Sequence, residues 1–312
     1  MDPSLGAVRV GGLASRVTIY EVGPRDGLQN EARVVDVAVK AEFIDRLASA
    51  GLAIIEATSM VDPRWVPQLA DAEDLLDRLD LNGGVRHPVL VPNERGLERA
   101  LAKGVTEIAV FASATETFAQ RNQNRSVADT LHTLSSVVSH ALDLGLRVRG
   151  YVSMCFGDPW EGDVQPASVV AVGRTLLEMG CEQLSLGDTI GAAAPGKVLA
   201  VLDAFDTAQV SRERLAMHFH DTYGQALANI FAALSGGITT FDASAGGLGG
   251  CPFAKRASGN VATEDLVWML HGLGIETGVD LATLVATSRW MAVNLGRPST
   301  SRVVQSWPSG DE

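Results

Sequence analysis

The sequence predicts an α/β fold, a (β/α)8 TIM barrel with additional C-terminal helices. Three observations carry that expectation. Short apolar runs of strand character alternate with segments of helical period along the whole chain. Eight such runs occur, the number that closes a barrel over roughly 250 residues. Polar and ionisable residues gather at the carboxyl ends of those runs, where barrels place their chemistry.

The strand runs, in order, are Val17 to Val22, Ala53 to Ala57, Arg86 to Val91, Thr106 to Phe111, Arg147 to Ser153, Glu182 to Ser185, Arg214 to His220 and Ile238 to Asp242. Between them, apolar residues recur at helical spacing. Examples are Phe43, Ile44 and Leu47; Leu75, Leu76 and Leu79; Val137, Val138, Ala141 and Leu142; and Val169, Val172, Leu176 and Leu177. Several of these segments stop at glycine, in Ala50-Gly51, Lys103-Gly104 and Met179-Gly180. Glycine accepts the left-handed backbone that closes a helix without a Cβ clash. A doubly wound open sheet is the competing architecture. It needs a Gly-x-Gly-x-x-Gly turn after the first strand, and none follows Val22. After Asp265 the pattern stays helical, over Leu266 to Leu270 and Leu281 to Leu295. Residues 1–312 thus read as a single catalytic domain, a barrel over about 17–275 followed by a helical segment over about 276–300.

The bulk numbers narrow the function classes. Of the 312 residues 46% are hydrophobic, enough for a sizeable core, and the formal net charge is −12. An acidic balance argues against a nucleic-acid partner, which favours a basic surface. It leaves an anionic small substrate open, because a few local arginines can hold one. No apolar stretch reaches the roughly 18 residues of a transmembrane helix. The N-terminal Met1 to Ser15 lacks the design of a signal peptide. The three cysteines, Cys155, Cys181 and Cys251, form no Cys-x-x-Cys. A disulfide framework is therefore not expected, and a reducing cytoplasm fits.

The strand ends carry the candidate site. Met217-His218-Phe219-His220-Asp221 closes an apolar run. On a strand, residues i and i+2 share a face, so two such imidazoles can grip one metal ion; the alternative is one core and one surface histidine. Strand 1 runs into Gly23-Pro24-Arg25-Asp26-Gly27, which reads either as a turn or as a carboxylate beside an arginine suited to an anionic oxygen. Glu56 interrupts Ile54-Ile55-Glu56-Ala57, and a buried carboxylate must be paired or functional. Asp188 and Asn260 are site candidates, or else caps for the helices that follow. After Asp242 comes Gly246-Gly247-Leu248-Gly249-Gly250-Cys251-Pro252. Cys251 is either a packed thiol or, on such a glycine-rich loop, a group that exchanges a proton in a closed site.

Together these segments strongly resemble 3-hydroxy-3-methylglutaryl-CoA lyases, over about residues 17 to 300. The resemblance rests on Gly23-Pro24-Arg25-Asp26-Gly27-Leu28-Gln29-Asn30-Glu31, Glu56-Ala57-Thr58-Ser59, Trp65-Val66-Pro67-Gln68 and Arg149-Gly150-Tyr151-Val152-Ser153. It rests equally on Leu186-Gly187-Asp188-Thr189-Ile190-Gly191, His218 to Gln225 and the cysteine loop. It implies Asp26, His218, His220 and Asn260 as ligands of Mg²⁺ or Mn²⁺, an oxygen-rich set unlike a closed zinc site. It implies an acyl-CoA substrate cleaved to acetoacetate and acetyl-CoA, in leucine or related acyl-CoA breakdown. Asp26 or a bound water takes the hydroxyl proton, Arg25 stabilises the enolate oxygen, and Cys251 protonates the carbon. Glu56 and Asp188 orient Arg25, the ligands and the substrate. A homodimer is the assembly it implies. The chain departs from the pattern at Ala32, at Met154-Cys155-Phe156-Gly157-Asp158 and at Lys255-Arg256, the last pair being placed to meet CoA phosphates. These departures leave the acyl group open. The competing functions are a lyase for a related 3-hydroxyacyl-CoA, a Claisen-type synthase or aldolase of the same superfamily, and a catalytically silent binding barrel.

Overall fold

The computed structural model describes residues 6–250 and 259–308. Strands and helices alternate: β1 (Thr18–Glu21), α1 (Val37–Ser49), β2 (Thr58–Ser59), α2 (Ala72–Leu76), β3 (Val89–Leu90), α3 (Glu94–Ala102) and β4 (Glu107–Ser113). Then follow α4 (Glu116–Gln123), α5 (Val127–Asp143), β5 (Arg147–Ser153), α6 (Pro166–Met179), β6 (Gln183–Asp188) and α7 (Pro195–Thr207). The chain continues through β7 (Leu215–Phe219), α8 (Ala226–Ser235), β8 (Thr240–Ala243), α9 (Thr263–Gly272), α10 (Leu281–Leu295) and α11 (Arg302–Ser306).

All strand pairs are parallel, in the order β1-β8-β7-β6-β5-β4-β3-β2. The seam closes between β1 and the stretch before β2: Glu21 N–H donates to Ile54 O at 3.1 Å, and Glu56 N–H to Glu21 O at 2.8 Å. The eight parallel strands with their intervening helices form the expected TIM barrel. The helix stops read from glycine are present, since Gly51, Gly104 and Gly180 all have positive φ (+94°, +74° and +113°). Starts are capped where side chains allow. Asp36 accepts from Ala38 N–H at 2.8 Å, Asn93 from Gly96 N–H at 3.0 Å and Ser126 from Asp129 N–H at 3.0 Å.

One strand and the helical tail differ from expectation. Ala53 to Ala57 reads as strand, yet regular pairing with β3 is confined to Thr58–Ser59 and Val89–Leu90. Ile55 N–H donates to Arg86 O at 2.9 Å and Ala57 N–H to Pro88 O at 3.0 Å. A parallel ladder in that register needs position 88 to return an N–H, and proline has none. At the other end, the helical tail extends past 300 into α11, and α10 lies against α1. Among the described residues no helix is long and apolar enough to cross a membrane.

One large apolar cluster runs between the strands and the inner helix faces. It includes Phe43, Ile44 and Leu47 of α1, Val137 and Val138 of α5, Leu176 of α6 and Phe205 of α7. The strand interior is different. Glu21, Glu56, Arg149, Ser185, His218 and Asp242 are all buried there, and that polar column leads to the site.

Candidate active site and metal centre

The turn after β1 delivers the first two groups. Gly23–Gly27 forms a single π-helical turn, closed by Gly27 N–H donating to Val22 O at 3.1 Å. Gly27 is required by space: a Cβ there would lie 2.8 Å from Leu248 Cβ. The turn presents Arg25 and Asp26 together. Arg25 Nη1 donates to Asp26 Oδ1 at 2.7 Å, and its Nε to Glu56 Oε2 at 2.6 Å. Glu56 thus proves to be the paired, fully buried carboxylate that its apolar setting implied. Burial pushes the Glu56 carboxyl up in pKa against the opposing pull of Arg25. Burial raises Asp26 too, but Arg25, the two histidines and Asn260 outweigh it and hold it below its ordinary value.

β7 delivers the histidines. Their ring centroids stand 5.2 Å apart, and ligand atoms of Asp26, His218 and His220 all lie within 4.8 Å of one another. Asn260 joins them from the segment before α9, donating to Asp26 Oδ2 at 2.8 Å and to Leu248 O at 3.0 Å. It does not cap α9, which starts after Ala262. Burial and the neighbouring His218 push His220 down to a pKa of about 4, leaving a neutral imidazole at physiological pH. Two buried atoms here, His220 Nδ1 and Asn260 Oδ1, have no hydrogen-bond partner. Unpaired buried lone pairs are costly. A divalent cation would satisfy both at once, so the donor set of one carboxylate, two imidazoles and one amide oxygen fits a metal centre.

Asp188 sits differently from its expected place. Its oxygens accept from Ala192 N–H at 2.8 Å and Ala193 N–H at 3.0 Å. It therefore holds the turn before α7 without capping the helix, whose cap position is Ala194. It makes no hydrogen bond to Arg25 or to the histidines. Burial raises its pKa to about 6, opposed by those two amides and by the charge of His218. Cys251, Lys255 and Arg256 lie outside the described residues. The run up to them is tethered: Asn30 Nδ2 donates to Gly250 O at 2.9 Å.

Two charged residues missing from the expected set prove central. Asp242, at the end of β8, binds Arg149 of β5 at 2.6 and 3.2 Å, Ser185 of β6 at 2.7 Å and His218 Nδ1 at 3.3 Å. The usable signal was the one that singled out Glu56, a charge inside an apolar strand.

The comparisons with known proteins agree with this geometry. A family model described as HMGL-like matches residues 16–291. The chain is 51% identical over 291 residues to a mitochondrial hydroxymethylglutaryl-CoA lyase of Arabidopsis thaliana, covering 93% of this chain but only 62% of that protein's length. It is 48% identical to a 3-hydroxy-3-isohexenylglutaryl-CoA/hydroxy-methylglutaryl-CoA lyase of Pseudomonas aeruginosa, covering 94% of this chain and 98% of the relative. A crystal structure of hydroxymethylglutaryl-CoA lyase from Pseudomonas aeruginosa superposes with a TM-score of 0.92 at 48% identity, covering 95% and 98% of the two chains.

Proposed function

The chain belongs to the HMGL-like family, and we propose that it is a carbon–carbon lyase cleaving 3-hydroxy-3-methylglutaryl-CoA to acetoacetate and acetyl-CoA. The observation that carries this reading is the meeting of Asp26, His218 and His220 within 4.8 Å, with Arg25 locked onto Asp26. The high identity to named lyases supports the substrate.

Asp26, His218, His220 and Asn260 would hold the metal, Mg²⁺ or Mn²⁺. When bound, such an ion supplies Lewis acidity that lowers the pKa of a coordinated hydroxyl. Asp26 is the carboxylate placed to receive the C3 hydroxyl proton, directly or through a water. As that proton leaves, the C2–C3 bond breaks, acetoacetate departs and the electron pair becomes the thioester enolate. Two of the three guanidinium nitrogens of Arg25 are held by Glu56 and Asp26. Its Nη2 remains for the enolate oxygen, a charge-bearing donor fixed before reaction. Glu56 acts through Arg25, as a positioning residue. Asp188 fixes the 188–193 turn beside His218. We assign to Cys251 the proton returned to the enolate carbon, so one proton leaves oxygen, one arrives at carbon, and none is consumed. The buried free thiols Cys155 and Cys181 support a reducing compartment, in our reading the cytoplasm. A homodimer acting in leucine or related acyl-CoA breakdown completes the proposal.

A second reading, a lyase for a related 3-hydroxyacyl-CoA, is favoured by the double substrate name of the Pseudomonas relative. One assay separates the two. EDTA-treated protein is supplied with either thioester, with and without Mg²⁺ or Mn²⁺, and release of acetyl-CoA, the product common to both cleavages, is followed. Metal-restored cleavage of 3-hydroxy-3-methylglutaryl-CoA is expected. Folded, metal-loaded protein that cleaves only the isohexenyl thioester would replace the first reading by the second, and cleavage of neither would remove both.

A further inference from the structure

Asp242 is buried at the floor of the metal centre and accepts four hydrogen bonds from side chains of β5, β6 and β7. Arg149 grips it with two nitrogens, Nη2 to Oδ1 at 2.6 Å and Nη1 to Oδ2 at 3.2 Å. Ser185 Oγ donates to Oδ2 at 2.7 Å. The last bond is to His218 Nδ1, 3.3 Å from Oδ2. Arg149 is itself fixed: its Cζ lies 3.9 Å from the ring centroid of Tyr20 and 4.9 Å from that of Tyr151. An ionised carboxylate accepts and never donates. The imidazole nitrogen facing it must therefore carry a proton, and a neutral ring with Nδ1–H has its lone pair on Nε2.

We propose that Asp242 is a positioning residue for the metal centre: it fixes His218 in the Nδ1–H form and so presents Nε2 to the ion, while Arg149 and Ser185 hold Asp242 to that task. This rests on the metal-centre reading given above. Without the carboxylate, His218 can place its proton on Nε2 or turn its ring, and either change withdraws a ligand. His220 is placed differently: its unpaired Nδ1 is the nitrogen left for the ion, and Asp242 does not bond it. The ligand set therefore depends on Asp242 for the direction of one imidazole only.

The alternative is that Asp242 merely neutralises Arg149. Mn²⁺ binding to substrate-free protein, followed by electron paramagnetic resonance, distinguishes the two, using D242N, R149M and R149M/D242N. The double variant removes one charge of each sign, so it is balanced like the native pair. Native protein should bind Mn²⁺, and R149M, which keeps the carboxylate but removes one of the groups that hold it, should bind more weakly than native protein yet more tightly than D242N. D242N and R149M/D242N should both bind roughly 10–100-fold more weakly, the usual loss when a partner that orients a metal-ligating histidine is removed. Native-like Mn²⁺ affinity in the double variant would overturn the proposal and leave the metal reading standing. Absence of Mn²⁺ binding by native protein would remove both. A second measurement needs no variant: long-range proton–nitrogen spectra of the metal-free native protein should show His218 protonated at Nδ1, and a bare Nδ1 overturns the proposal.

Discussion

At the scale of single residues, Arg25 is defined by what holds it. It is 6% exposed, stacked 5.5 Å from the ring centroid of Tyr151 and hydrogen-bonded to two carboxylates. A guanidinium so constrained cannot follow a substrate; it must already stand where negative charge will develop, which is the condition for electrostatic catalysis. Glu56 sets that stance through a 2.6 Å bond to Nε. Glu56→Gln keeps the shape and one acceptor but removes the charge that anchors Arg25. It is expected to lower kcat about 10–100-fold, the size of losing part of one preorganised donor, while Mn²⁺ affinity stays within a few-fold, because Glu56 bonds Arg25 and none of the ligands. Steady-state kinetics beside a Mn²⁺ titration checks this. An unchanged kcat would remove Glu56 from the machinery, and a collapse of Mn²⁺ affinity would make it a metal-site residue.

At the scale of elements, the connection from β8 to α9 does more than join them. Gly246 N–H donates to both oxygens of Glu264, at 3.1 and 3.0 Å, in the first turn of α9. Thr300 Oγ1 donates to Gly246 O and Gly247 O, each at 3.1 Å. Gly249 has φ of +122°, and a Cβ there would stand 2.6 Å from Asn260 Nδ2. Gly249→Ala is therefore doubly opposed, by backbone conformation and by the Asn260 amide. It is expected to weaken Mn²⁺ binding by roughly tenfold, as a displaced metal-site group does, and to cost about 1–3 kcal/mol of stability through overpacking. Calorimetric Mn²⁺ titration and denaturant unfolding measure the two effects. Native affinity in this variant would show that Asn260 is not needed by the ion. The glycines of this connection were legible as a mobile-loop composition. Their tether to the C-terminal segment was not, because it depends on residues about fifty positions apart meeting in space. The same contrast holds elsewhere. Strand–helix alternation shows in period alone, so seven of the eight expected runs overlap the paired strands, β2 being displaced. The displacement of β2 turns on the missing N–H of Pro88, a cross-strand matter that no local pattern contains. Asp26, Glu56 and His218 stood out as charges or imidazoles on or next to apolar runs. Asp188 stood out equally, and its oxygens accept from Ala192 and Ala193 N–H, which no local pattern announced. Residue type announces a buried polar group; only geometry says which partner takes it.

At the scale of the whole molecule, the barrel is closed by buried acids that bind its first and last units. Glu21 Oε1 accepts from Gly23 N–H at 2.8 Å and Ala245 N–H at 2.9 Å, and Oε2 accepts from Thr263 Oγ1 at 2.6 Å. Glu264 accepts from Gly246 and from Ser288 of α10. The carboxyl on β1 thereby ties together parts of the chain more than 220 residues apart, and the one on α9 joins the β8 connection to α10. Burial is the dominant influence on both, raising Glu21 to about 7 and Glu264 to about 8 from an ordinary 4.5, with the donated hydrogen bonds opposing it. In the unfolded chain both ionise near pH 4.5, whereas in the folded chain they keep their protons to pH 7 and 8. The folded state therefore binds more protons across that window, and stability must fall as pH rises through it. Their contribution is fully present below about pH 4.5 and lost by about pH 8. Asp242, lowered to about 2 by Arg149 and His218 despite burial, acts in the opposite sense, but only below pH 4. For metal-free protein unfolded by urea, raising the pH from 6 to 9 should remove on the order of 4 kcal/mol of stability. Glu264→Gln retains an acceptor for Gly246 N–H and a donor for Ser288, yet cannot ionise. Its loss over the same range should be smaller by at least about 1 kcal/mol. Parallel loss in the two proteins would mean that Glu264 is already ionised in the fold at pH 6, and that the ring is closed across a buried charge instead of a buried proton.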